Sequence, residues 1–236
     1  MRTGKQKILI LGANGQVGKE LSKRADDFEV NATAFTRTEL DITDSQEVAR
    51  ILENLRPHTV INAAAYTAVD DAEKRPEVAY KVNRDAPENL AKICEKLSIP
   101  IIHMSTDYVF DGKKSGAYLE GDPVRPLGIY GRSKEAGEAV IRDKTEKYII
   151  FRTSWVYAAH GNNFLRTMMR LANERSELNI VEDQCGVPTC AVDIADALLL
   201  ISKRITNNTL EPLWGTFHYT SRNPTTWCSF AEEIFK

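Results

Sequence analysis

Residues 8–18 read Ile8-Leu9-Ile10-Leu11-Gly12-Ala13-Asn14-Gly15-Gln16-Val17-Gly18. Four apolar residues end in three glycines spaced G-x-x-G-x-x-G, and a helical pattern follows. A short buried parallel strand reads this way as it turns into a helix. The glycines let the backbone turn sharply and approach a ligand closely. The helix N-terminus behind them offers unpaired N–H groups and a partial positive charge to a pyrophosphate. Taken alone, the stretch fits an ordinary strand–helix turn equally well. Downstream, Tyr130-x-x-x-Lys134, preceded by Ser105-Thr106, adds a tyrosine acid/base beside a nucleotide site.

Outward from that turn, apolar β-rich runs alternate with helical patterns. Strands are predicted at Ile8–Leu11, Glu29–Phe35, Thr59–Asn62, Ile99–Met104 and Tyr148–Arg152. Helices fall between them over Gln16–Lys23, Asp44–Leu55, Pro76–Leu97 and Gly131–Arg142. Asp44 with Glu47 three residues on is a capping-box pattern, and Pro87 predicts a break or kink. The order argues for an α/β, Rossmann-like, doubly wound parallel sheet covered on both faces. Past about residue 155 the pattern loosens. Helices are expected over Asn162–Asn173, Asp193–Arg204 and Thr225–Lys236, and short strands at Leu178–Val181 and Thr216–Tyr219. Residues 1–155 read as the nucleotide-binding domain, with a return segment about 191–206. Residues 156–190 and 207–236 read as a small C-terminal substrate-binding cap over the sheet's carboxyl edge.

The composition, 42% hydrophobic and 27% charged, is that of an ordinary globular chain. A net charge of −2 makes no case for nucleic acid or an anionic membrane. The apolar run near the basic N-terminus is too short for a signal-peptide core, and no segment approaches a membrane span. Cys94, Cys185, Cys190 and Cys228 are scattered without flanking histidines, so free thiols in a reducing cytoplasm are expected and no metal.

Strand 2 ends about 20 residues past the glycines, where an adenosine ribose would lie. The chain there reads Phe35-Thr36-Arg37-Thr38. A carboxylate at Thr36 would favour a 2′-hydroxyl; it is absent and Arg37 follows. NADPH is therefore expected, with NADH possible; the other reading of Arg37 is a solvated surface charge. Asp41, beside Ile42, either accepts from an adenine amino group or caps a turn. Ala63-Ala64-Ala65, followed by Tyr66-Thr67, leaves room at a strand end for a nicotinamide ribose, or serves close helix packing.

Tyr130 and Lys134 at i, i+4 share a helix face. A free tyrosine titrates near ~10, and a nearby ammonium lowers that value. Thr106 can hold a substrate oxygen beside the phenol. The alternative is a partly buried tyrosine with a solvated lysine.

Together these residues resemble the extended short-chain dehydrogenase/reductase family. Further blocks resemble one branch of it, the dTDP-4-dehydrorhamnose reductases: Asn62-Ala-Ala-Ala-Tyr-Thr-Ala-Val-Asp70, Ser105-Thr-Asp-Tyr-Val-Phe-Asp-Gly112, Arg152-Thr-Ser-Trp-Val-Tyr157, Gly161-Asn-Asn-Phe164 and Asp183-Gln-Cys-Gly-Val-Pro-Thr189. The resemblance runs from residue 7 to about 230. It implies hydride delivery from NAD(P)H to C4 of a dTDP-4-dehydro sugar, with Tyr130 as acid, Lys134 tuning it and binding ribose, and Thr106 orienting the carbonyl. It places the cofactor on Gly12, Asn14, Gly15, Gln16, Val17, Gly18, Arg37, Asp41, Ile42, Ala63, Ala64, Ala65, Thr67, Tyr130 and Lys134. It places Val69, Asp107, Tyr108, Trp155 and Asn163 at the sugar nucleotide. Residue by residue, a core aromatic at Trp155, a strand-end cap at Asp107 and a helix cap at Asn163 stand as alternatives.

The chain departs from that pattern twice. Some relatives form a metal-bridged homodimer through glutamates. Glu20 matches one of them, but Val192 stands where the other is expected, so Glu20 reads as a surface charge. Relatives also run on past Lys236, so the cap reads as incomplete. Two other readings stay open: another sugar-nucleotide reductase or epimerase of the same family, or a binding subunit resembling the regulatory subunit of methionine adenosyltransferase.

Overall fold

The structure, a computed structural model, describes residues 5–207 and 214–236. Strand β1 (Gln6–Leu11) is flanked by β2 (Val30–Phe35) and β3 (Thr59–Asn62). β4 (Ile101–Thr106), β5 (Tyr148–Thr153) and β9 (Gly215–His218) continue the sheet in the order β2-β1-β3-β4-β5-β9. All five pairings are parallel. Ile8 to Leu11 are all buried because the sheet is covered on both sides. Successive side chains point to opposite faces. Ile8 and Ile10 join a core with Leu21, Phe151, Ile194 and Leu198, whereas Leu9 and Leu11 join Leu52, Leu90, Ile101 and Ile150. Each such side chain contributes roughly 1.5–3 kcal/mol. Helix α1 (Gln16–Arg24) and α8 (Ala191–Asn207) cover the first face; α2 (Ser45–Leu55) and α5 (Ala86–Leu97) cover the second. After β1 the chain turns to β2 on one side, then crosses to β3 on the other. The crevice at their carboxyl ends is the topological switch point.

Local signals explain several boundaries. Asp44 caps α2 by accepting from the Gln46 and Glu47 N–H groups. Between α3 (Val69–Lys74), α4 (Pro76–Tyr80) and α5 the expected break near Pro87 is a π-turn over Lys81–Asp85. Pro87 has no N–H, so the Asn83 carbonyl four residues back lacks a helical donor. The helix α6 (Ile129–Lys144) meets that carbonyl at Gly137, where a Cβ would collide with it.

The second part of the chain differs from expectation in two places. The segment 207–236, expected wholly in the cap, contributes β9 to the main sheet, because Gly215–His218 finds the free edge of β5. Leu178–Val181 forms no strand. Instead β7 (Cys185–Gly186) pairs with β10 (Thr225–Thr226), and β6 (Val156–Tyr157) with β8 (Thr189–Cys190). Helices α7 (Phe164–Glu174) and α9 (Trp227–Ile234) complete this region. Among the described residues, no helix is long and apolar enough to cross a membrane.

Candidate active site

The glycine turn sits at the switch point. Gly12 and Ala13 donate to Phe35 O at 3.1 and 2.9 Å, which ties the turn to the end of β2. Gly12 has φ +84°, and a Cβ there would lie 2.6 Å from Ala64 N. A Cβ on Gly18 would run into Gly12 O, so Gly18 permits the close packing of α1 on the strand end. The resulting cleft is lined by Gly12, Asn14, Gly15, Arg37, Asp41, Ile42 and Ala63 to Ala65. Nine residues assigned to a cofactor from sequence are thus brought together. Leu40, Tyr66 and Val82 line it too; Val82 lies on the π-turn, which no sequence pattern places beside the glycines. The glycine backbone of this cleft, backed by the first turn of α1, fits a dinucleotide pyrophosphate. Gln16, Val17, Gly18 and Thr67 do not line this cleft. Val17 is buried in the core, Thr67 is exposed, and the Gln16 amide is bonded to the Val156 carbonyl and to Asn163.

Helix α6 carries Tyr130, Lys134 and Glu138 as successive i, i+4 positions on one buried face. Gly131 lets this helix lie directly on the Tyr108 carbonyl, and Asn83 pins it through Ser133 at 3.0 Å. Tyr130 is 9% exposed and packs with Val69, Tyr66 and Ile129. Burial pushes its phenol above the usual tyrosine range, while a hydrogen bond with Thr106 pulls the other way. This differs from the expectation that Lys134 lowers the tyrosine. The Lys134 ammonium is directed elsewhere, to Met104 O at 2.7 Å, so burial of the phenol dominates. Lys134 is 2% exposed rather than solvated, and burial brings it down to about 8 against the opposing pull of Glu138.

Behind Lys134 stands a histidine the sequence did not single out. His103 Nε2 lies 3.4 Å from Lys134 Nζ, and its Nδ1 lies 3.1 Å from Asn62 Nδ2. The Asn62 oxygen is taken by Ala64 N–H at 3.2 Å. Burial, then the neighbouring Lys134, hold His103 well below the usual histidine range. Below it, Glu138 accepts from Arg152 at 2.6 and 2.9 Å and from Ser105 at 2.5 Å. Burial raises its carboxyl, but Arg152 with the Ser105 and Arg142 hydrogen bonds outweighs this and leaves it low.

The substrate-side residues divide. Thr106, Asp107 and Tyr108 turn off the end of β4 beside the phenol. The Thr106 hydroxyl lies 3.1 Å from Asp107 Oδ1, and the Tyr108 ring meets Tyr130 edge-on at 5.3 Å. Loss of water raises the Asp107 carboxyl to about 6 despite hydrogen bonds from Thr106 and the backbone. Trp155 has φ +46°, a conformation rare for a bulky residue. Its indole lies against Gly186 and stacks on Trp227 at 3.5 Å and 8°. Asn163 caps α7 through Arg166 N at 3.0 Å and donates to Gln16, Ala158 and His160, so its amide is engaged at both ends. Glu20 is buried rather than a surface charge, because His160 Nδ1 lies 3.3 Å from its carboxylate.

A doubly wound parallel sheet, a glycine turn at its switch point and a buried Tyr130/Lys134 pair beside Thr106 are the features of the extended short-chain dehydrogenase/reductases. A family profile described as the RmlD substrate binding domain matches residues 6–236, and the chain belongs to that family. It is 44% identical over 233 residues to a dTDP-4-dehydrorhamnose reductase of Aggregatibacter actinomycetemcomitans, covering 97% of this chain and 78% of that one. For the Escherichia coli (strain K12) protein of the same name the identity is 40% over 235 residues, with 97% and 77% covered. The crystal structure of the Bacillus anthracis str. Ames dTDP-4-dehydrorhamnose reductase in complex with NADP superposes with a TM-score of 0.92 at 37% identity, covering 100% of this chain and 81% of that one.

Proposed function

We propose that this chain reduces the C4 ketone of dTDP-4-dehydro-L-rhamnose to dTDP-L-rhamnose with NADPH, or with NADH. The observation that carries this reading is the buried Tyr130/Lys134 pair with Thr106 at the end of β4, with Tyr130 packed on Tyr66 of the glycine cleft wall, in a chain about 40% identical to reductases of that name. The backbone of Gly12, Asn14 and Gly15 would cradle the pyrophosphate. Gln16, Val17 and Gly18 would add the first-turn N–H groups of α1. Arg37, Asp41 and Ile42 would face the adenosine. Ala63, Ala64, Ala65 and Thr67 would leave space for the nicotinamide ribose, which Lys134 would bind.

When bound, the cofactor supplies the hydride that the carbonyl carbon accepts. Thr106 holds the carbonyl oxygen. Tyr130 gives its proton to that oxygen as negative charge develops, leaving a phenolate. Burial keeps the phenol protonated, so the acid stands loaded at neutral pH. Lys134, whose ammonium is bonded to Met104 O, would stabilise the phenolate by its charge rather than by a direct hydrogen bond. Val69, Asp107, Tyr108 and Trp155 would line the sugar-nucleotide side. Asn163 would act through the loop it fixes, since its amide is already bonded. The test is loss of reduced-nicotinamide absorbance with enzymatically made dTDP-4-dehydro-L-rhamnose. Turnover that requires the sugar nucleotide supports the reading. Cofactor binding without turnover on this sugar would overturn it.

A further inference from the structure

The end of β2 holds an anion already, and it comes from the protein itself. Glu39 folds back so that one carboxylate oxygen accepts from the Thr36 N–H at 2.8 Å and from the Thr36 hydroxyl at 2.8 Å. The Thr38 hydroxyl lies 3.0 Å from that of Thr36. Hydrogen bonds from the Thr36 backbone and side chain hold this carboxyl below the usual range. The neighbouring cation is not aimed at it: Arg37 leans toward Asp41 at 3.8 Å and is 77% exposed. Asp41 in turn caps Thr43 N at 2.9 Å.

Thr36 is uncharged, yet a carboxylate stands on it, delivered from three residues along. Thr36 belongs to the turn that carries Arg37, Leu40, Asp41 and Ile42 into the cleft wall. A 2′-phosphate needs the donors of this turn and brings about −1.5 to −2 charge of its own. It meets those donors only after Glu39 has left them. A 2′-hydroxyl has no charge to be repelled and can donate to the same carboxylate.

We infer that Glu39 is a specificity-determining residue that weighs this chain toward NADH by holding the anion seat at the end of β2. The inference rests on the dinucleotide reading of the cleft. Glu39 is exposed at the surface, so it can swing out and its replacement leaves the core untouched. The side chain thus competes with a 2′-phosphate and sets the ratio of affinities without excluding either cofactor.

The test is direct binding, read by quenching of protein fluorescence or enhancement of nicotinamide fluorescence. Dissociation constants for NADPH and NADH are measured on the unaltered chain, Glu39→Gln and Glu39→Ala. A charge-assisted contact of this kind corresponds to about tenfold in affinity. Both variants are expected to shift the NADPH-over-NADH preference by about that factor toward NADPH. The shift should shrink at high salt for the Gln variant, which removes charge and keeps the shape. An unchanged ratio, or a shift toward NADH, in variants that still bind NADPH overturns the inference and leaves the dinucleotide reading intact. Failure of the unaltered chain to bind either cofactor overturns both.

Discussion

Lys134 sets a cost of burying an ammonium that follows from its surroundings. Its ammonium is 2% exposed, and burial lowers it from 10.5 to about 8. Each pH unit corresponds to about 1.4 kcal/mol, so the folded chain disfavours the charged form by about 3 kcal/mol. The sign follows from proton counts. Between pH 8 and 10.5 the folded chain has released this proton and the unfolded chain still holds it. Unfolding free energy therefore rises with pH through that window. Lys134→Met removes the charge and forfeits the bond to Met104 O, a loss of about 1 kcal/mol. The variant should be about 2 kcal/mol more stable than the natural chain at pH 7 while losing turnover. Urea denaturation of both proteins at pH 7, 8, 9 and 10 measures the difference. Between pH 8 and 10 the natural chain should gain about 2 kcal/mol on the variant. Cys94, raised to about 12 by burial, and Tyr130, also raised, oppose the gain in absolute terms. They are present in both proteins and cancel in the difference. A difference that stays constant over this range would refute the assignment of a depressed, buried ammonium.

Three further predictions follow from neighbouring geometry. Tyr130→Phe deletes one proton donor and should lower kcat about 10²–10⁴-fold with NADPH binding nearly unchanged; retained turnover would show that another group is the acid. Glu138→Gln leaves the 5%-exposed Arg152 side chain without its counter-charge and should cost about 3–5 kcal/mol in chemical denaturation, whereas a cost near that of a surface pair would mean the network is solvated. Gly18→Ala sets a methyl against Gly12 O and should weaken both folding and NADPH binding, at about 1–3 kcal/mol. Gly121→Ala, with nothing within 4 Å of its Cβ, should be silent in the same assays.

Much of the frame was legible because it is written in backbone-level patterns. A strand buried on both faces reads as a near-continuous apolar run, so Ile8–Leu11 and the Val60-Ile61 centre of β3 announce themselves. A sharp turn that backs onto another chain segment needs glycine, and an i, i+4 pair on a helix needs no tertiary knowledge. What failed were statements about partners. Leu178-Asn179-Ile180-Val181 has strand composition, but a strand needs an edge to pair with, and the edge of β5 is taken by Gly215–His218. Glu20 looked like surface until His160 arrived from 140 residues away to meet it. His103 read as one more residue of an apolar strand, since its role depends on Asn62 and Lys134 standing on either side. The absence of a carboxylate at Thr36 was legible in the sequence, whereas the Glu39 carboxylate that accepts from Thr36 N–H and hydroxyl was not, because it arrives by a fold-back of the turn.

The same dependence on partners explains how the two halves of the site are joined. Gln16 and Glu20 lie four apart on α1 and so face one way. Gln16 belongs to the glycine motif, yet its side chain reaches away from the cleft. It donates to Val156 O at 3.3 Å and accepts from Asn163 at 2.8 Å. His160 sits over the same helix, with Nε2 3.3 Å from Gln16 O and Nδ1 3.3 Å from Glu20. The loop 158–163 is thereby seated on the helix whose N-terminus would face the pyrophosphate, and Asn163 at its end starts α7. Phe164 at the start of that helix lies 4.5 Å from Trp227, which stacks on Trp155. An unbroken run of packed groups therefore leads from the glycine turn to Trp155. A residue of the glycine turn thus holds the loop that ends at Asn163, and Asn163 in turn starts α7.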